Sequence, residues 1–198
     1  MDSTIASYLS RALIDILDSD FQVRLVNNLS DGGQVDDSQK YLAVNVKKGI
    51  GNWFPTFVHE YCHFCQWKEK KFTGQKWDHT FGELYKWIEG KIDLSKKDRI
   101  LFSRRARRVE LDCERRTVSE IEKHNLPIDA DRYIQKANAY IFSYEFLIEN
   151  QKDLYNSGAY DSSLIYNLMP KHFLTRYDRI PSRYREMIIK LSNGKEKE

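Results

Sequence analysis

The chain has 198 residues, a net charge of +3, 41% hydrophobic and 31% charged residues. That balance excludes a disordered chain, and the length suits a single domain with a real core. So small a net charge implies no polyanionic partner by itself, and no stretch approaches the roughly 18 apolar residues of a membrane span. Met1-Asp2-Ser3-Thr4 has no basic region followed by an apolar run, so no secretory signal is expected. Three cysteines, Cys62, Cys65 and Cys113, make an odd number. They argue against a disulfide framework and for a reducing, cytoplasmic setting.

Taken in chain order, Ser3 to Leu17 reads as an amphipathic helix with Ile5, Leu9, Leu13, Ile16 and Leu17 on one side. Phe21 to Val26 alternates like a strand. Ser30 to Ser38 (SDGGQVDDS) reads as a polar Gly/Asp loop. Tyr41 to Val46 reads as a second strand with Leu42, Val44 and Val46 on one face. Gly49 and Gly51 break it, and Trp53-Phe54-Pro55-Thr56 leads into a helix that ends near Lys68 to Lys71. A short helix is expected over Phe81 to Glu89, and a long one from Ser95 to His124, stopped before Pro127. Another starts near Asp129 and reaches about Leu154. Ser162 to Leu191 looks helical but is broken by Pro170 and Pro181. The tail, Asn193 to Glu198, should fray. The sum is a mostly helical α+β domain over 1–198 with a small sheet near the N-terminus.

His59-Glu60-Tyr61-Cys62-His63 is an HExxH sequence. Residues four apart share a helix face, so both imidazoles can reach one metal. The glutamate between them is then placed for a water to be activated. Phe57, Val58, Tyr61, Cys62, Phe64, Cys65 and Trp67 cover most other directions of this helix, which predicts burial nearly all round. Its polar arc is His59, Glu60, His63 and Gln66. Buried polar groups without partners cost roughly 2–7 kcal/mol, and a metal with its water supplies partners. The plainer alternative is a pair of core histidines bonded to backbone carbonyls.

A catalytic zinc site needs a third protein ligand and an open position. On the long helix, Phe102, Ala106, Val109, Leu111, Cys113, Thr117, Val118 and Ile121 spread over one broad side at about 100° per residue. Glu110 and Glu114 fall near the middle of that side. Carboxylates in an apolar stripe are costly unless they meet a cation or strong donors. Arg107, three residues before Glu110, is the ordinary candidate for that cation.

An HExxH followed some 50 residues later by a helix carrying Glu, two residues, a small residue and an acid resembles the gluzincin group of zinc metallopeptidases. The resemblance covers about residues 41 to 118. It implies a zincin-like fold, a bound Zn2+, Glu110 as third ligand, Cys113 in the small-residue place and Glu114 as partner of a ligand histidine. The acid in that last place is often Asp, so Glu114 departs from the pattern and leaves Glu110 and Glu114 partly interchangeable. The rest of the chain resembles small phage-encoded proteins with the same two helices. The histidine-glycine extension of metzincins is absent, since Phe64-Cys65-Gln66-Trp67 follows His63, and Met169-Pro170 is no Met-turn. A deformylase-like site would need a cysteine before the motif, and none precedes Cys62.

The expected activity is hydrolysis of a peptide or protein substrate, with Glu60 as general base. Tyr133, Tyr140 and Tyr144 recur at helical spacing, and Tyr140 is the first choice of oxyanion donor, ahead of His172 and His124. Strand Tyr41 to Val46 could offer a sheet edge to an extended peptide. His79 reads as a surface or capping residue.

Two other classes compete. One is a noncatalytic, zinc-stabilised interaction protein. The other is a nucleic-acid-binding protein using the six arginines between Arg104 and Arg116, although neighbouring Glu and Asp dilute their charge. Cys62-His63-Phe64-Cys65 is also a CxxC, but only Cys113 remains to complete a structural zinc site.

Overall fold

A computed structural model describes residues 2–29, 32–47 and 49–193, without the side chains of 75–78. The elements are α1 (Ser3–Leu17), β1 (Gln22–Val26), β2 (Gly33–Asp36), β3 (Tyr41–Asn45), α2 (Ile50–Lys68), α3 (Gln75–Ile88), α4 (Lys96–Lys123), α5 (Ala130–Ile148), α6 (Lys152–Asn156), α7 (Ser163–Tyr166) and α8 (Ser182–Ser192). The protein is mostly helical with a three-stranded sheet, as expected of the α+β class. No helix among the described residues is long and apolar enough to cross a membrane. The expected fraying of the tail falls largely on residues 194–198, outside the described residues.

The ends of the helices are specified locally. α1 starts on Asp2, whose side chain accepts from the Thr4 amide at 2.7 Å. At their C-termini, α1, α2, α3, α4 and α5 are followed by Asp20, Lys70, Gly90, Asn125 and Asn150 at positive φ. In each case the next amide bonds five residues back, as Gln151 N–H does to the Phe146 carbonyl at 2.7 Å. That turn at Asn150 separates α5 from α6, where one helix to Leu154 was expected. Pro55 lies inside α2, which starts at Ile50, capped by Gly49, rather than after the proline.

The sheet corrects two expectations. Ser30 to Ser38 is not all loop, because β2 forms within it (Ser30 and Asp31 lie outside the described residues). The strand order is β1-β3-β2, so β3 is central rather than an edge. β1 runs parallel to β3, with Gln22 opposite Tyr41, and β2 antiparallel, with Gly33 opposite Val44. Tyr41, Leu42, Ala43 and Val44 are all buried, as a strand covered on both faces requires.

The chain folds into two compact units, each built from two stretches of sequence. The first takes residues 1–72 and 113–130, the second 73–112 and 131–198. α4 contributes its first part to the second unit and its last part to the first. The first unit packs Ile5, Tyr8, Ala12 and Ile16 of α1 and Phe54, Phe57, Val58 and Phe64 of α2 in a core with β3. Phe21 meets Phe64 edge-on at 5.2 Å, and Tyr8 meets Phe54 likewise at 6.0 Å. The second unit packs Ala139, Ile141, Phe142 and Phe146 of α5 with Tyr177, Tyr184 and Ile188. There Asn138 donates to the Pro170 and His172 carbonyls at 2.9 and 3.0 Å and accepts from the Tyr177 hydroxyl, holding the stretch between α7 and α8.

Candidate metal centre

α2 is buried on most of its surface, including two of its polar residues, Glu60 and Gln66. Its Phe and Val residues fill the core on either side, which leaves the His59, Glu60 and His63 arc a fixed direction. The two imidazole centroids lie 4.7 Å apart, edge to face. A ligand atom from each of His59, His63 and Cys113 lies within 4.8 Å of the others, so this group can hold a metal ion.

Polar neighbours assign the ring nitrogens. His63 Nδ1 lies 2.9 Å from the amide oxygen of Gln66, which only accepts. Nδ1 therefore carries the proton, and Nε2 carries the lone pair that a metal needs. His59 Nδ1 lies 3.6 Å from Glu114 Oε2. Glu114 is buried, and that oxygen has no hydrogen-bond partner. At 3.6 Å the pair is in ion-pair range and just beyond a hydrogen bond. A small rotation of the His59 ring would satisfy the carboxylate and commit His59 to the same tautomer as His63. A carboxylate behind a ligand histidine orients the ring and makes it a better donor to the metal. The residues present thus fit a metal ion, with the two Nε2 atoms outside these Nδ1 contacts.

Cys113 lies on the Nδ1 side of the His59 ring, at 3.7 Å, and its thiol donates to the His59 carbonyl at 3.2 Å. It is fully buried. Burial, with Cys113 alongside, pushes the Cys62 thiol well above its ordinary value. Cys65 is pushed up to about 11 by burial and has Tyr61 and Asp15 for neighbours instead. The two thiols of the CxxC thus sit in different surroundings.

α4 carries the expected division. Phe102, Ala106, Val109, Cys113, Thr117, Val118 and Ile121 are buried, and Glu110 and Glu114 with them. Arg107 does not serve both carboxylates: it ion-pairs with Glu145 and donates to the Tyr177 carbonyl at 3.1 Å. Arg105 donates to Thr80 at 3.0 Å, and Arg116 grips both Glu69 oxygens at 2.8 and 2.7 Å. Arg105, Arg107 and Arg116 are therefore engaged in contacts within the protein.

Glu110 lies in the second unit, one turn before Glu114 on α4. Tyr140 is there too, half-buried, its hydroxyl 2.9 Å from that of Tyr144. Loss of water around the Tyr140 hydroxyl, reinforced by the nearby Glu110 charge, holds its pKa well above the ordinary value. Tyr140 thus stays protonated and able to donate. His124 is engaged elsewhere, with Arg11 at 2.7 Å. His79 is exposed and packs edge-on against Phe102 at 5.5 Å.

Two contacts of the motif escaped the sequence reading. Gln66 was placed in the polar arc, but its contact with His63 was not foreseen, although their spacing of three was the available signal. Gly33 lies against Glu60, and nothing in a Gly/Asp-rich stretch announces that approach. Comparison with protein-family models, with curated proteins and with solved structures found no match to this chain.

Proposed function

We propose that this chain is a zinc-dependent peptidase of the gluzincin type. The observation that carries the reading is the pairing of His63 Nδ1 with Gln66 and His59 Nδ1 with a buried, under-satisfied Glu114. Core histidines of a purely structural kind need only backbone carbonyls. These two have polar side chains near Nδ1, which supports Nε2 of each as the metal-binding atom, with a buried glutamate between them in sequence.

In this reading His59, His63 and Glu110 hold the metal. Cys113 fills the small-residue place behind the His59 ring. When bound, zinc supplies Lewis acidity, polarising the scissile carbonyl and bringing the pKa of water toward about 7. Glu60 accepts the proton of the attacking water and delivers it to the leaving amine. Tyr140 donates to the developing oxyanion. β2, whose outer side pairs with no strand among the described residues, is the sheet edge that takes an extended substrate.

The direct test is cleavage of a peptide library by the zinc-loaded protein, with and without a chelator. Cleavage that the chelator abolishes and zinc restores is expected. No cleavage anywhere between about pH 6 and 9, where activated water should be available, would refute the reading and leave a metal-stapled scaffold.

The roles of the two α4 carboxylates are separable. Loss of a group behind a ligand typically lowers affinity or activity by roughly 10–100-fold, and loss of a ligand should exceed that. Glu110→Gln is therefore expected to weaken zinc binding more than Glu114→Gln, as read by competition with a chromophoric chelator. The reverse order would make Glu114 the ligand and shift the site by one helical turn.

A further inference from the structure

Position 33 is glycine for a reason its own backbone does not supply. Its φ lies outside the left-handed region, so any residue could adopt it. A Cβ there, however, would stand 2.7 Å from Glu60 Cγ, 2.7 Å from Glu60 Oε1 and 2.7 Å from Thr56 Cγ2. Carbon atoms in packed interiors keep about 3.5–4.0 Å. The strand cannot easily back away. Gly33 is paired with Val44 in β3, and the Gly32 carbonyl accepts from the Asn45 amide at 2.7 Å. Nor can Glu60 leave easily, since Phe57, Val58 and Tyr61 around it on α2 are buried.

We propose that Gly33 is a positioning residue for Glu60: the bare backbone of β2 forms the wall against which the Glu60 carboxylate rests, and so sets its rotamer. The inference rests on Glu60 being the general base. Glycine here lets an edge strand approach the base to backbone distance, and any side chain would push the carboxylate aside. A misplacement of about 1 Å at a reacting group can cost on the order of 10²-fold in rate.

The test uses the zinc-loaded full chain. Gly33→Ala is expected to keep the parent's zinc content and a KM within about 3-fold, while kcat falls by roughly 10–100-fold. Because the new methyl also meets Thr56, a Thr56→Ser, Gly33→Ala variant removes the second collision. It should recover part of the lost melting temperature but not kcat. A third arm needs no turnover: with Glu60→Ala in place, the same methyl should lower Tm less than it does in the parent. Unchanged kcat in Gly33→Ala, full recovery of kcat with Thr56→Ser, loss of zinc, or an equal Tm penalty with and without Glu60 would each overturn the inference. An inactive parent would instead overturn the peptidase reading, and the Tm arm would still report whether Gly33 bears on Glu60.

Discussion

Replacing both His59 and His63 by alanine should abolish zinc binding. The two rings come from one buried helix, α2, and lie with centroids 4.7 Å apart. Each has a polar side chain near Nδ1, so in the proposed site each would contribute through Nε2. With both gone, a remaining carboxylate or thiol offers no tetrahedral site. Elemental analysis should find about one zinc per parent chain and essentially none in the double variant. The loss should also appear in stability. A ligand that binds only the folded state, present at about 1,000 times its Kd, adds roughly 4 kcal/mol. Adding zinc should therefore raise the parent's Tm and leave that of the double variant unmoved. Full zinc in the double variant would place the metal elsewhere.

Glu60→Gln should separate an enzyme from a scaffold. Glu60 lies about 100° round the helix from His59, which turns it away from a ligand's direction. Glutamine has nearly the same shape, so it should fit the space between α2 and Gly33 and leave zinc content and Tm near those of the parent. What it lacks is a basic oxygen. Removal of a general base typically costs 10²–10⁴-fold, and hydrolysis of a peptide library should fall by at least that much. Equal cleavage by both forms would assign the activity to a contaminant or another site. Loss of zinc in Glu60→Gln would make Glu60 a ligand.

The chemistry-bearing residues were legible because helical spacing is a local property. HExxH puts two imidazoles on one face whatever the rest of the chain does, and the run of aromatics around it makes that helix a buried one. The same logic separated the carboxylates of α4 from its exposed arginines at 104, 108 and 115. What Arg107 would pair with was not legible. Glu110 is three residues away, yet the guanidinium pairs with Glu145 on another helix. Long side chains choose partners in space, and neither helical spacing nor composition carries that distance.

The sheet shows the division most plainly. β3 could be read from Leu42, Val44 and Val46 alternating on one face, whereas its cover on both faces, with Tyr41 and Ala43 buried too, came only from the structure. β2 could not, because Gly33-Gln34-Val35-Asp36 has little hydrophobic alternation, and its strand character comes from pairing with β3. A strand stabilised mainly by cross-strand hydrogen bonds leaves only a faint signature in its own residues. By itself, then, the sequence determined α1, most of α2 and α4, their polar and apolar faces, and the His59, Glu60, His63 arc, but not the start of α3 at Gln75, the break between α5 and α6, or the non-helical stretch between α7 and α8. Tertiary structure alone decided which strand is the edge, which side chain stands behind each imidazole, and that position 33 has no room for a methyl group. Periodicity is written in neighbouring residues, whereas close approach is a property of segments that meet only after folding.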